Sequence, residues 1–326
     1  MDERTKNANP EAIAERIREA ETIAVVSHVN PDGDTLGCCT AMGLALKRMG
    51  KKVTMLCDGK VPDVMDYLPG AAEIRRPSEN EGPFDLMLTV DVSDEARMGA
   101  CAGLKAVSRK TAQIDHHPTN PFFMETNWVD GTAPAACLMI RKEIAALGIP
   151  MDREIAICLY TGISTDTGNF AFASTNAECF RVMAELTEYG LPIAELNRRL
   201  FREKPRAQAK LLGRALESLS FPGDGRIAVM KLTRRDYAEC GALSEHTDTL
   251  VNYGLDTPGT EMALLGRETD GGQVKFSLRA KEPARVSEAA KALGGGGHPQ
   301  ASGITMDGTL DECIGKALAE MRKYLD

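Results

Sequence analysis

The sequence predicts an α/β fold in two unequal parts, an N-terminal parallel-sheet domain joined by a helical connector to a smaller α/β domain. Three observations predict it. Short apolar runs recur through the first half with little polar alternation, as in strands buried on both faces of a sheet. Segments of helical length separate several of these runs, which suits βαβ crossovers. After a polar, Arg- and Lys-rich stretch, strand signals resume from residue 226 onward.

Taken in order, residues 10–20 have helical character and "TIAVVSHV" (22–29) reads as a strand. "TLGCCTAMGLALKRMG" (35–50) is a helix that stops at Gly50. "KVTMLCD" (52–58), "FDLMLTVD" (84–91) and "TAQIDHH" (111–117) are three further strands. Helices follow at 133–148, 152–166 and 176–190, and then a largely helical connector centred on 196–219. The second part offers strands at 226–232, 260–268 and 273–280, a helix near 284–293, the glycine-rich run "GGGGHPQASG", and a last helix near 309–325. The expected boundaries are therefore residues 1–190, a connector at 191–220, and 221–326.

Bulk composition narrows the function. With 326 residues and 43% apolar content the chain can bury a sizeable core, and its length favours two domains. A formal net charge of −8 argues against a grip on long nucleic acid, whose affinity comes largely from phosphate neutralisation by Lys and Arg. Aromatics at 5% argue against an extended stacking platform for single strands. Nine cysteines without CxxC spacing, most of them in apolar segments, fit reduced thiols in a cytoplasmic protein. No apolar stretch approaches the roughly 20 residues that span a bilayer, and the N-terminal stretch is charged throughout.

The chemistry concentrates where strands end. The first strand leads into His28, with Asp32 and Asp34 just beyond; the third ends at Asp91; the fourth ends at Asp115, His116 and His117. Asp166 closes an apolar helix. Ligands of an open parallel sheet bind beyond the carboxyl ends of its strands, so these groups are expected to converge. Each has an ordinary explanation when taken singly: "NPDGD" is a good turn, and Asp91 would suit a helix N-cap before "SDEARMG". Together they are better explained by hard divalent cations, which relieve carboxylate repulsion, and a mixture of Asp oxygens with His nitrogen suits manganese well. No Cys stands among the candidates, which argues against a thiolate zinc site. Six ligands exceed what one catalytic ion with open positions needs, and two ions sharing a carboxylate accommodate them.

"SHVNPDGDTLG", "TVDVSD", "QIDHHPTN" and "TGISTDTGNF" resemble the four motifs of the DHH phosphoesterase superfamily, and "VKFSLRA" with "GGGGHPQASG" resembles its associated C-terminal domain. The resemblance spans roughly residues 20–305 and implies a DHH domain followed by a substrate-binding domain. Size and layout are most similar to the branch that combines oligoribonuclease with 3'-phosphoadenosine 5'-phosphate phosphatase activity, whose relatives cleave pApA.

On that resemblance His28, Asp32 and Asp91 hold one manganese ion. Asp34, Asp91, His116 and Asp166 hold the other, with Asp91 bridging and magnesium or cobalt as substitutes. His117 stands beside the scissile phosphate, Asp115 orients the histidines, Gly295, Gly296, Gly297 and His298 lie in a substrate-binding loop, and Arg279 contacts a phosphate or base. "DGTAPAACL" (130–138) departs from the Ser/Thr-rich stretch that the family often has there, which puts substrate contacts in doubt at that point. The expected partners are short RNA or a small nucleotide, with a homodimer as the compatible assembly, and neither long nucleic acid nor a membrane. The rival expectations are a RecJ-like exonuclease, an inorganic pyrophosphatase of the same superfamily, and a catalytically silent nucleotide sensor.

Overall fold

A computed structural model describes residues 7–247 and 249–325; residues 1–6, the start of the charged N-terminal stretch, lie outside them. The chain divides into two compact units, residues 1–203 and 204–326, so the division falls inside the stretch expected to be a connector.

The first unit is built on a five-stranded parallel sheet of order β2-β1-β3-β4-β5. Its strands are β1 (Thr22–Val26), β2 (Lys52–Leu56), β3 (Phe84–Val90), β4 (Ser108–Asp115) and β5 (Thr126–Val129). In β1, Ile23 and Val25 enter one core while Ala24 and Val26 enter another on the opposite face. Successive strand residues point to opposite faces, so two covered faces demand apolar residues throughout. β5 escaped the sequence reading because "TNWV" carries a polar pair; Asn127 is buried, and its side chain serves the neighbouring backbone.

Helix α1 (Pro10–Glu19) starts at an Asn9 cap with Pro at its first position and buries Ile13, Ala14 and Ile17 on one face. α2 (Gly33–Arg48) is buried nearly all round. It packs with α3 (Ala136–Ala146) and α4 (Arg153–Asp166) in the larger core. α5 (Ala177–Thr187) and α6 (Ile193–Asn197) follow, and α6 runs on into a wide turn at Arg198–Arg202. The opposite sheet face is covered by the short-pitch helical segment Glu95–Val107, which supplies Met98, Cys101 and Leu104.

The second unit opens with α7 (Arg206–Glu217) and carries a mixed sheet of order β6-β7-β8-β10-β9. These strands are β6 (Ile227–Leu232), β7 (Met262–Glu268), β8 (Gln273–Ala280), β9 (Gly296–His298) and β10 (Ala301–Asp307). β6 and β7 pair in parallel and the other pairs are antiparallel. α10 (Val286–Ala292) and α11 (Leu310–Met321) share a core with one sheet face. α7, α8 (Arg234–Cys240) and α9 (Asn252–Leu255) share a core with the other. The expected glycine-rich loop is in fact a hairpin: His298 pairs with Ala301, Gly297 with Ser302 and Gly296 with Gly303. Gly297 sits at φ +142°, and a Cβ there would fall 2.5 Å from the Ala301 carbonyl oxygen, so strand pairing itself requires glycine.

Candidate active site

At the carboxyl edge of the parallel sheet, β1 ends at Val26 and the chain turns inward at His28, which is 3% exposed. The His28 Nδ1 lies 2.7 Å from the Val29 carbonyl oxygen. Nδ1 also lies 3.1 Å from Arg97 Nη2, a donor, but the carbonyl, which only accepts, is the nearer partner; the proton is assigned to Nδ1, and Nε2 faces the acids. Nε2 lies 3.5 Å from Asp32 Oδ2 and 3.7 Å from Asp91 Oδ2.

Asp32 does two jobs. Its Oδ1 caps α2, accepting from the Asp34 and Thr35 amides at 3.1 Å each, while Oδ2 faces His28. The turn suggested by "NPDGD" and the metal-binding role are therefore compatible in one carboxylate. Burial raises the Asp32 carboxyl, but the His28 ring and the two amides outweigh it and hold it below the usual range.

Asp34 is fully buried. Its Oδ2 accepts from the Ala136 amide at 2.5 Å and its Oδ1 from the Cys137 amide at 3.0 Å, both at the start of α3. A helix N-terminus is a natural seat for negative charge. Burial still raises this carboxyl, against the opposing pull of His116.

Asp91 follows β3 with φ +56°, a conformation sparsely populated by residues bearing a Cβ. Such strain gathers at functional sites. Its Oδ2 faces His28, and its Oδ1 faces His116 Nε2 at 3.4 Å. Oδ1 is buried and has no hydrogen-bond partner among the described residues. Burial and the Asp34 charge push the Asp91 carboxyl well above the ordinary range. The alternative N-cap role belongs to Asp94, whose side chain accepts from the Arg97 amide at 3.1 Å.

β4 delivers three groups in a row. His116 Nδ1 is 3.0 Å from the Ala133 carbonyl oxygen, which turns Nε2 toward Asp91, Asp166 (3.3 Å) and Asp34 (4.0 Å). Burial opposes charge on His116, but the Asp91 contact and the Asp34 charge prevail and the ring is pushed up to about 10. Asp115 is fully buried; it accepts from His117 Nδ1 at 2.8 Å, from the His117 amide at 3.3 Å and from Asn120 Nδ2 at 2.6 Å. Asp115 therefore orients His117, whereas His116 is oriented by a main-chain carbonyl. Asp166, the last residue of α4, is pushed up to about 7 by burial and the Asp34 charge.

The structure thus brings together in the first unit every group expected at the strand ends. His28, Asp32 and Asp91 form one cluster, Asp34, His116 and Asp166 a second, and Asp91, His116 and His117 a third, with ligand-type atoms of each cluster within 4.8 Å of one another. The donor set suits hard divalent ions: acids pushed toward neutrality by burial and by each other regain their charge when a cation enters. The buried Asp91 carboxylate, with Oδ2 toward His28 and Oδ1 toward His116 but without a hydrogen-bond partner, is the clearest mark of such a site.

Three features escaped the sequence. Cys38 and Cys137 lie behind Asp34 and form a further cluster with it, a proximity that their sequence positions did not suggest. Burial pushes both thiols well above their usual range, so they are neutral and poor ligands. Asn120 buttresses Asp115, and its place five residues later in "QIDHHPTN" was the available signal. The stretch at 130–138 serves the site through main-chain groups, the Ala133 carbonyl and the Ala136 and Cys137 amides, while its one hydroxyl residue, Thr132, bonds locally to Asp130.

In the second unit, Arg279 pairs across β8 and β10 with Ala301, and Ala301 across β10 and β9 with His298. Cross-strand partners share a sheet face, so Arg279 and His298 lie in one row on the same side. Gly295, Gly296 and Gly297 lead into that row.

Comparison with known proteins agrees with this architecture. The DHH family, N-terminal domain, matches residues 22–163, and the DHHA1 domain matches residues 225–326. A bifunctional oligoribonuclease and PAP phosphatase NrnA from Thermus thermophilus is 34% identical over 96% of this chain and 93% of its own length. The Bacillus subtilis protein of the same name is 25% identical over 88% of this chain and 90% of its own. An exopolyphosphatase-related protein from Bacteroides fragilis superposes with a TM-score of 0.87 at 24% identity, covering 97% of this chain and 96% of that one, a likeness of fold. With both domains in order and a full-length relative above 30% identity, the chain belongs to the DHH family and is a hydrolase of phosphate esters.

Proposed function

We propose that the protein hydrolyses short oligoribonucleotides such as pApA to mononucleotides, and 3'-phosphoadenosine 5'-phosphate to AMP, with two manganese ions as cofactor. The observation that carries this reading is the two-sided presentation of Asp91, with Oδ2 toward the His28–Asp32 cluster and Oδ1 toward His116, beside Asp34 and Asp166. His28, Asp32 and Asp91 would hold one ion and Asp34, Asp91, His116 and Asp166 the other. Bound there, two divalent ions lower the pKa of a shared water and neutralise charge on the phosphoryl group.

The protein's own groups supply orientation. Asp115 accepts from the Nδ1–H of His117, which fixes the ring and leaves its Nε2 to meet a phosphoryl oxygen. The Ala133 carbonyl and the α3 amides fix His116 and Asp34, which keeps the ligand set rigid before substrate arrives. Arg279, Gly295, Gly296, Gly297 and His298 would contact the anionic groups or base of the substrate. With a net charge of −8, the protein would hold a few nucleotides through these groups and not a long polymer. The nine cysteines are all free and buried, which supports a reducing cytoplasmic setting, and a homodimer is compatible with this reading. Among the described residues no helix is long and apolar enough to cross a membrane.

The test is a manganese-dependent assay on pApA, 3'-phosphoadenosine 5'-phosphate, an RNA 5-mer, an RNA 50-mer, cyclic di-AMP and pyrophosphate. Turnover of the short substrates, abolished by Asp91→Ala, is expected. Hydrolysis of pyrophosphate alone, or equal rates on 5-mer and 50-mer, would overturn the proposal.

A further inference from the structure

Just beyond Asp166 the chain makes a turn that holding Asp166 does not require. Gly168, Asn169 and Phe170 have φ of 56°, 56° and 67°, three consecutive left-handed residues of which two carry side chains. The turn is pinned from several directions. The Asn169 amide donates to the Ser164 carbonyl at 2.7 Å, the Phe172 amide to the Thr167 carbonyl at 3.0 Å, and the Phe170 amide to Thr167 Oγ1 at 3.2 Å. Asn197 Nδ2, from the end of α6, donates to Asn169 Oδ1 at 3.0 Å.

The outcome is an unusual division between two rings. Phe170 is half-buried against Phe180, with centroids 5.4 Å apart, and packs on the core. Phe172 is 58% exposed, yet it is not loose: it lies against Gly168, where a Cβ would fall 2.4 Å from its Cε1. A positive φ and this close approach both demand glycine at 168. The aromatic ring is thus seated against a residue two positions from the Asp166 carboxylate and otherwise open to solvent. Hydrophobic burial does not explain it, because the burial went to Phe170.

We propose that Phe172 is a base-stacking residue, receiving the nucleobase that adjoins the scissile phosphate and so positioning the ester at the acidic cluster; this rests on the nucleotide reading above. A base is one ribose away from its phosphate, so a stacking ring belongs close beside the groups that hold the phosphoryl centre. A flat apolar ring with no hydrogen-bonding group accepts any base, as an enzyme of short RNAs of mixed sequence requires. The Asp166 motif then carries two functions, an acid at its helix end and an aromatic platform six residues on.

The experiment compares wild type, Phe172→Ala and Phe172→Trp on pApA and on the same dinucleotide lacking its bases, with manganese. Nucleotide quenching of the Phe172→Trp fluorescence is measured in parallel, with AMP as the probe. The expected result is a loss of kcat/KM on pApA of between about 5-fold and 150-fold for Phe172→Ala, mostly in KM. Phe172→Trp should recover most of it, the loss should vanish on the abasic substrate, and AMP should quench the new tryptophan. An equal loss on both substrates, no loss on pApA, or a shift in sedimentation that accounts for the loss would overturn the proposal. If wild type leaves pApA intact, the functional reading above fails, and AMP quenching alone then decides whether Phe172 stacks a base.

Discussion

The acidic cluster of the first unit and the glycine-rich hairpin of the second both stood out in the sequence, and they differ in what the tertiary structure made of them. In the cluster, Asp34, Asp91 and Asp115 are buried, and Asp91 adopts a strained backbone with an oxygen that no hydrogen bond satisfies. No packing requirement explains that combination, which is what a cation-binding site would need. In the hairpin, Gly296, Gly297 and His298 are exposed, and Gly297 is required by strand pairing before any ligand is considered. Residues that cost stability point to function more directly than residues that the local fold also needs.

The largest test of this contrast is Asp91→Ala. Activity should fall on the order of 10³-fold or more, with loss of manganese binding by calorimetry. The thermal midpoint of the metal-free protein should not fall, because a buried acid pushed toward neutrality is removed. A large drop in that midpoint would break the comparison, since Asp91 would then be structural.

Asp115→Asn comes next. The carboxylate accepts from three donors, two of them on His117, so an amide cannot replace it fully. A decrease of about 10–100-fold in activity is expected, more in kcat than in KM, with circular dichroism unchanged.

The hairpin is sharpened by a pair of substitutions. Gly297→Ala should destabilise the protein by about 1–3 kcal/mol in chemical denaturation, through its φ of +142° and the Ala301 carbonyl. Gly296→Ala meets nothing within 4 Å and should lie within about 0.5 kcal/mol of wild type. If Gly296→Ala nevertheless raises KM for pApA, the run serves a ligand as well as the strand pairing.

The last test leaves activity aside and concerns Glu143, a fully buried carboxyl in α3 whose oxygens have no hydrogen-bond partner among the described residues. Burial, only partly offset by Arg18, pushes it up to about 8 from the ordinary 4.5. The native state therefore holds a proton that the unfolded chain has released, and stability falls as pH rises from about 4.5 through about 8. Glu143→Gln should match wild type near pH 5 and exceed it by about 1–3 kcal/mol near pH 9, as read from urea midpoints. Parallel behaviour at both pH values would refute the assignment.

Much of this was legible beforehand. Continuous apolar runs at β1 and β3 marked a sheet covered on both faces, because burial on both sides removes the need for alternation. His28, Asp91 and His116 were legible because charged and imidazole groups follow abruptly on β1, β3 and β4. β5 was not legible, since Asn127 is buried for its hydrogen bonds and not for its hydrophobicity. Nor was the work of residues 130–138, because backbone amides and carbonyls leave no trace in side-chain identity.

The sequence by itself determined which groups were available and that several would meet at one sheet edge, since strand direction in a parallel sheet dictates where the ends fall. Only the tertiary structure decided how each group is used. It turned Asp91 between two imidazoles, assigned Asp115 to His117 and not to His116, folded the glycine run into a strand, and left Phe172 open while covering Phe170. These outcomes depend on atoms brought together from distant segments, and their orientation is set by burial and hydrogen bonds that no local pattern encodes.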